Sequence, residues 1–459
     1  MRSSFPTHII LLLLLICPAL FLLCGCKKYL DVKSDQKLSV PSSLADLQAL
    51  MDNFNTISNG HPSAGEVSST DYYLTDADYN ALFYNADRRL YTWQKDYVFN
   101  NGNTGNDWES CYSAVYYCNT VLEQLPKVGR TTENASQWDD LKGQALLQRG
   151  YRFLDALQIW APAYDAATAA SDPGVPLRLS SDFNEKSVWA SVADGFRQVI
   201  ADLSGAASLL STQPLSAMRG SKQAAYAMLA RTCLYMRNYT MAGVYADSCL
   251  RINSSLLDYN TLKATATYPM TNLNTEVLYF AALSVERPIY NKIARIDPAL
   301  YALYDAHDLR KSLFFKANTD GSYYFRGSYQ GVYSLVGSPC TDEMYLIRAE
   351  CEARAGLVSS SLSDLKTLLM TRYQKGTFMP LTASSAAEAL SLVLQERRKE
   401  LVMRGIRWTD IKRLNREGAG ISLSRAVSGT AYHLAADDQR LVLPIPEDVI
   451  ATSGMAQNP

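Results

Sequence analysis

Residues 71–108 contain the side chains best suited to bind a neutral polar molecule. Ten aromatic residues and twelve Asp or Asn residues lie in this stretch. Aromatic rings can stack on the apolar C–H faces of a sugar while Asp, Asn and Arg hydrogen-bond its hydroxyl groups, and flat rings freeze few torsions on binding. We therefore predict a ligand-binding site here, formed by Asp71, Tyr72, Tyr73, Arg88, Trp93 and Asp96.

The same residues have a second interpretation. Aromatic rings mostly fill protein cores, so these could instead pack a loop-rich subdomain onto its scaffold. Trp108, Tyr112 and Tyr116 recur at helical spacing, which favours packing for these three. Residues 323–333, a hairpin or loop that contains Arg326, form the second candidate for a ligand site.

A cysteine near the N-terminus is the other candidate for chemistry. A positively charged start precedes an apolar run over residues 9–23, and the sequence then reads Cys-Gly-Cys, with Cys26 last. This pattern resembles a bacterial secretory signal with a lipobox, in which the new N-terminal cysteine is acylated. An uncleaved membrane helix is the alternative, but the run is shorter than the ~20 residues that a span requires. We predict a signal peptide over residues 1–25, lipidation at Cys26 and a lipidated tether over residues 26–44.

Composition disfavours several functions. The net charge of −1 argues against a nucleic-acid partner. The three histidines after residue 25 are far apart in sequence, so we expect no His-based metal site, and no motif indicates a cofactor. No Cys-x-x-Cys pair occurs, and we interpret the remaining cysteines as small core residues, although long-range disulfides stay possible: Cys111, Cys118, Cys233, Cys249, Cys340 and Cys351.

Apolar periodicity predicts a mainly α protein. Ala230, Ala242 and Ala246, with Tyr239 near the turn, resemble a tetratricopeptide unit, in which small residues let two antiparallel helices pack closely. We predict one helical domain over residues 45–459, with an irregular, loop-rich ligand-binding subdomain. Its tetratricopeptide-like helix pairs cover about residues 108–160, 188–252 and 341–415, and loop-rich insertions cover about residues 60–107 and 254–340.

The charged stretch over residues 396–413 also permits two interpretations. On a helix, Glu396 and Glu400 lie on one face, with Arg397 and Arg404 near enough to pair with them. Charged residues on helices are usually paired and solvated. We therefore favour an ionic network that stabilises the fold over a ligand site.

One more helix is expected in the C-terminal part. It should span about residues 386–403, and Gly405 should end it as a left-handed cap, because glycine adopts a positive φ without strain. Pro444 and Pro446 predict an irregular tail over residues 441–459.

Four segments, in order along the chain, resemble one family. They are similar to the mature start, the stretch before the last helix pair, the most recognisable motif and the usual ending of SusD/RagB lipoproteins. The segments are residues 26–31, 296–310, 396–413 and 443–447, the last followed by residues 457–459.

The resemblance implies a lipid-anchored protein on the exterior of a Gram-negative outer membrane. Such a protein binds an oligosaccharide, or a peptide in RagB-like members. It acts as a hinged lid that delivers this ligand to a SusC-like TonB-dependent barrel. Binding residues in this family lie on variable loops, so the resemblance transfers no site residue.

Two other functions stay open. A glycoside hydrolase needs two carboxylates ~5–9 Å apart across a cleft, and the chain has 45 acidic residues that could supply them. The sequence contains no Gly-x-Ser-x-Gly, His-Glu-x-x-His or phosphate-loop motif, so we expect binding without catalysis. An assembly adaptor would bind the barrel but neither glycan nor peptide.

Overall fold

The computed structural model describes residues 41–100 and 106–458. Helices are the main secondary structure of this part of the chain. The predicted signal peptide, Cys26 and most of the predicted tether lie outside the described residues. Ser43–Pro459 forms one compact unit. The prediction of a mainly α protein is confirmed.

Long helices build a scaffold, and short helices occupy the segments between them. In chain order the helices are α1 (Leu44–Met51), α2 (Phe54–Ile57), α3 (Ala64–Ser68), α4 (Asp76–Asn80), α5 (Asn85–Tyr91), α6 (Asp107–Val128), α7 (Ala135–Trp160), α8 (Val192–Leu209), α9 (Lys222–Tyr235), α10 (Tyr239–Ile252), α11 (Pro298–Ala302), α12 (Arg310–Phe314), α13 (Thr341–Arg354), α14 (Val358–Leu369), α15 (Ala386–Glu400), α16 (Arg407–Asn415) and α17 (Glu447–Ser453).

Within the part of the chain that the structure describes, the strands form three separate antiparallel pairs. They are β1 (Tyr72–Tyr73) with β2 (Arg295–Ile296), β3 (Phe315–Ala317) with β4 (Tyr323–Phe325), and β5 (Leu423–Val427) with β6 (Thr430–Leu434). The first pair joins the two predicted insertions, because β1 belongs to residues 60–107 and β2 to residues 254–340. The third is a tight hairpin whose turn residues, Ser428 and Gly429, both have positive φ, as the twist of paired strands favours.

The long helices pack one after another. α6 packs against α7, α7 against α8, α8 against α9, and α9 against α10. α10 then packs directly against α13, which also contacts α14 and α15. The insertion over residues 254–340 therefore separates α10 from α13 in sequence but not in the stack of helices. Hairpins α9–α10 and α13–α14 agree with the predicted helix pairing, and their assignment to the tetratricopeptide class stays a prediction.

Small residues allow this close packing, as the sequence indicated. Ala230, Ala242 and Ala246 are fully buried between α9 and its neighbours. Between α7 and α8, a Cβ atom at Gly195 would lie 2.8 Å from Leu157 Cδ2, so a larger residue there would force the Leu157 side chain to move. The six cysteines after Cys26 are buried and unpaired, which confirms their interpretation as core residues.

The C-terminal part differs from its prediction in two places. α15 ends at Glu400, earlier than predicted, because Leu401 leaves the helical conformation. Gly405 does have a positive φ of 72°, but it lies in the turn between α15 and α16, beside Met403 with a φ of 58°. The predicted irregular tail contains α17.

No helix within residues 41–100 and 106–458 combines the length and the apolar character that crossing a membrane requires.

Candidate functional site

Three of the six predicted ligand-binding residues are buried and already have partners. Asp71 accepts a hydrogen bond from Arg398 Nε over 2.9 Å, and the Tyr72 hydroxyl donates to the Val67 carbonyl over 2.9 Å. Trp93 is only 1% exposed. In this structure none of these three side chains offers a face on which a sugar could stack.

A buried arginine from the distant β5 strand explains why these rings are inside. The guanidinium of Arg425 lies 3.7 Å from the ring centre of Tyr91, 4.9 Å from that of Trp93 and 5.2 Å from that of Tyr72. It also donates to the backbone carbonyl of Val67 over 2.9 Å. Desolvated cation–π contacts and hydrogen bonds together hold the β5–β6 hairpin against the insertion over residues 60–107. Sequence patterns could not find Arg425, because more than 330 residues separate it from its partners.

The other three predicted residues reach the surface. Tyr73 is half-buried and pairs with Arg295 across the β1–β2 ladder. Arg88 is half-buried and donates to the Leu82 carbonyl, and Asp96 is exposed and paired with Arg89. Ligand contact by these three residues stays a prediction.

The second candidate segment, residues 323–333, also contains both buried and exposed side chains. Arg326 is buried and donates to the carbonyl oxygens of Ala264, Ala266 and Ser312 over 2.6–2.7 Å, so it ties the segment to the rest of its insertion. Tyr333, at the other end of the segment, is 43% exposed.

Two exposed aromatic rings directly precede or begin α5. Phe83 is 85% exposed, and its ring meets that of Tyr84 edge to face with 4.9 Å between centroids. Both precede α5, and Tyr84 is the N-cap residue of this helix. Leaving a phenylalanine this exposed keeps its apolar area in water, and adjacent exposed rings typically mark a recognition surface.

The insertion over residues 254–340 brings its own aromatic pair to α5. A 3-10 turn, Arg287–Ile289, packs against this helix. The Arg287 guanidinium lies 5.0 Å from the ring centre of Tyr290, and Tyr290 meets Tyr333 edge to face with centroids 5.2 Å apart. We call this set the aromatic surface and define it as Phe83, Tyr84, Arg287, Tyr290 and Tyr333.

One acidic side chain on α5 and one just before the 3-10 turn have raised pKa values. Burial raises the pKa of Asp87, on α5, to about 6, against the opposing effect of Arg88 and Arg287. Burial, reinforced by the charges of Asp107 and Asp87, raises the pKa of Glu286 to about 8. Low solvation and neighbouring negative charge both favour the neutral acid.

The charged stretch over residues 396–413 forms a buried ionic network. Arg310 donates to Glu396 over 2.7 Å and to Glu400 over 2.8 Å, and Arg372 donates to Glu400 over 2.8 Å. Arg397 donates to Asp410 over 2.8 Å. An ionic network is present, as predicted, but Glu396 and Glu400 pair with Arg310 and not with Arg397 or Arg404. These side chains lie in the core and not in solvent.

Three carboxylates of this core could in principle hold a metal ion. Oxygen atoms of Glu276, Asp342 and Glu400 all lie within 4.8 Å of one another. However, Arg372 donates to both glutamates, and Arg404 donates to Asp342 over 3.3 Å. Because guanidinium groups already compensate this negative charge, the cluster fits a structural role better than a cation site.

The sequence matches two family models in different parts of the chain. Residues 28–234 match a SusD-like family described as "Starch-binding associating with outer membrane", and residues 342–459 match the SusD family. No curated protein sequence matches the chain significantly.

Solved structures share the fold over nearly the whole chain. A SusD superfamily protein from Bacteroides vulgatus is 20% identical, with a TM-score of 0.74 over 91% of this chain and 99% of that one. A SusD superfamily protein from Bacteroides thetaiotaomicron is 18% identical, with a TM-score of 0.72 over 91% and 100% of the two chains. A laminarin-binding SusD-like protein is 16% identical, with a TM-score of 0.64 over 90% and 98%.

The stack of helix pairs with loop-rich insertions therefore places this fold in the class of SusD-like helical proteins. Within this class, the chain belongs to the SusD/RagB family.

Proposed function

We propose that this protein is a lipid-anchored, surface-exposed outer-membrane protein that binds an oligosaccharide without altering it. It delivers the bound glycan to a SusC-like TonB-dependent barrel. The aromatic surface is the site that binds the glycan.

The observation that carries the proposal is the exposure of Phe83, at 85%, beside the ring of Tyr84. The second insertion, which packs against α5, contributes the ring pair of Tyr290 and Tyr333. Flat aromatic side chains on a rigid helical scaffold offer large contact areas at low entropic cost. Arg287 adds hydrogen-bond donors beside the rings. This mixture suits a ligand with apolar faces and hydroxyl edges, which is the character of a sugar chain.

The proposed membrane location and the proposed barrel partner are supported by different observations. The residues before Cys26 have the lipobox pattern, and one matching family is described as associating with the outer membrane. Acyl chains on Cys26 would hold a water-soluble helical domain at a bilayer. The SusC-like barrel follows from the family resemblance alone.

Burial of Asp87 favours binding over hydrolysis at this surface. Glycoside hydrolysis needs an acid and an ionised carboxylate that both face the sugar. Asp87 is 4% exposed, so little of its side chain is accessible to a sugar at the surface. Incubation of the protein with starch and laminarin followed by product chromatography tests this point, and shortened chains would contradict it.

Binding is tested by calorimetric titration with maltoheptaose and laminarihexaose. Phe83→Ala and Tyr333→Ala should each weaken binding by about fivefold, since a lost aromatic contact is worth roughly 1 kcal/mol. Met379→Ala is the matched control, because Met379 is 79% exposed and lies outside the aromatic surface. Equal affinity in all variants would remove the aromatic surface as the site. Binding of an unfractionated peptide digest and of no glycan would indicate a RagB-like ligand instead.

A further inference from the structure

A cavity of about 420 Å³ lies on a different part of the molecule from the aromatic surface. It is bounded by α6, by the segment over residues 176–187 and by residues around α17, and it shares no lining residue with the aromatic surface. Its volume lies within the ~300–1,000 Å³ that small-ligand sites typically have.

Stacked aromatic rings form one side of this cavity. Tyr112 and Tyr116 are four residues apart on α6 and therefore project from the same helical face. The Tyr116 ring stacks on that of Phe183, with centroids 4.8 Å apart and an interplanar angle of 28°. Phe183 is nevertheless 78% exposed, so much of its ring still faces solvent.

Buried polar groups hold the segment that carries Phe183. The side-chain amide of Asn119, which is buried, donates to the carbonyl oxygens of Arg178 over 2.9 Å and Ser180 over 3.1 Å. Arg149 Nη1 donates to Asn119 Oδ1 over 3.0 Å and so fixes the orientation of the amide. Phe183 thus sits on a segment anchored to the core, which lowers the entropy lost when its ring meets a ligand.

The charges around the cavity select against anions. Among the described residues that line it, Arg178 is the basic one, and both of its terminal nitrogens donate to carbonyl oxygens of its own segment. Glu109 and Ser113 are exposed on the same side of α6 and offer a carboxylate and a hydroxyl group. Stacked rings beside uncharged or acidic hydrogen-bonding groups fit a neutral polyhydroxylated ring.

We infer that this cavity is a second glycan-binding site. It binds a sugar unit of the polysaccharide that occupies the aromatic surface, or of another polysaccharide molecule. For the class of ligand, the inference rests on the proposed function. For the location of the site, it rests on residues that are not part of the aromatic surface. Two sites on one rigid scaffold raise the avidity for a long polysaccharide well above that for a short fragment.

Calorimetric titration of the full mature chain with maltoheptaose and laminarihexaose tests this inference. The variants are Phe183→Ala, Phe83→Ala and the double variant, and thermal unfolding confirms that each is folded. Val188→Ala is the matched control, because Val188 directly follows this segment, is 68% exposed and does not line the cavity. We expect the wild-type protein and the control to bind two sugar molecules per chain. Each single variant should bind about fivefold or more weakly at the altered site and keep the wild-type affinity at the other site.

The variants distinguish this inference from the proposed function. If Phe183→Ala binds like the wild type while Phe83→Ala loses binding, the second site is overturned and the aromatic surface stands. If only Phe183→Ala loses binding, the cavity is a glycan site and the aromatic surface is not. If the wild type binds neither sugar, both are overturned. If N-acetyltryptophanamide binds in a Phe183-dependent manner while neither sugar binds there, the cavity takes aromatic ligands and the assignment to sugars is wrong.

Discussion

The indole nitrogen of Trp93 donates a hydrogen bond to the carbonyl oxygen of Ser68 over 2.9 Å. This contact links the end of α3 to the turn after α5 and fixes the ring against Arg425. Trp93, one of the aromatic candidates from the sequence, thus serves to assemble the subdomain, while more exposed rings such as Phe83 remain accessible to a ligand.

Trp93→Ala should therefore destabilise the fold. Removal of a fully buried tryptophan typically costs about 3–5 kcal/mol, because it combines lost burial with a cavity. Urea unfolding should show this loss, and the folded fraction should keep its affinity for glycan. Phe83→Ala is the opposite control, with a small change in stability and weaker binding. An unchanged unfolding midpoint for Trp93→Ala would contradict the structural role of the ring.

Glu400 should be equally important for stability. It accepts hydrogen bonds from Arg310 and Arg372, and all three side chains are fully buried. Glu400→Ala leaves two buried guanidinium groups short of a partner, which costs about 3–5 kcal/mol in comparable cases. Chemical denaturation measures this loss, with Glu133→Ala on the surface as the control. A variant as stable as the wild type that no longer binds glycan would move the ligand site to this network.

Stability should fall as the pH rises from about 4.5 to about 8, in part because of Glu286. The pKa of this residue is raised from 4.5 to about 8 in the folded protein. Between these values the folded state retains a proton that the unfolded state has lost, so the free energy of unfolding decreases with pH. Glu286→Gln should reduce the difference between melting temperatures measured at about pH 5 and about pH 8. The same difference in Glu286→Gln as in the wild type would exclude Glu286 as a contributor.

Cys26→Ala should release the protein from membranes. Without acyl chains the helical domain has no anchor of the predicted kind, and fractionation of expressing cells should find it outside the outer-membrane pellet. Cys24→Ala, two residues earlier, is the matched control and should leave the protein in that pellet. Continued sedimentation of Cys26→Ala with the outer membrane would refute lipidation at this position.

The sequence was most informative where structure depends on local pattern. Ala230, Ala242 and Ala246 indicated close helix packing, because small side chains at helical spacing have few other uses. The paired charges over residues 396–413 indicated an ionic network for a similar reason. Helix ends were predicted less well: Gly405 has the expected positive φ, yet α15 ends before it, because Leu401 already turns the chain toward α16.

Exposure was the property that local pattern could not supply. Trp93 and Phe83 are both aromatic residues in one irregular stretch, and nothing in their neighbours distinguishes a buried ring from an exposed one. Arg425 packs against the ring of the first, whereas the second stays 85% exposed among the described residues. Tyr333 likewise becomes part of the aromatic surface only through its contact with Tyr290.

The sequence by itself determined the helical class, the small-residue packing of the stack and the family, because these follow from spacing along the chain. Only the tertiary structure decided which aromatic rings face solvent and which two insertions meet at α5. Burial depends on partners brought together from hundreds of residues apart, and no periodicity in the chain encodes those partners.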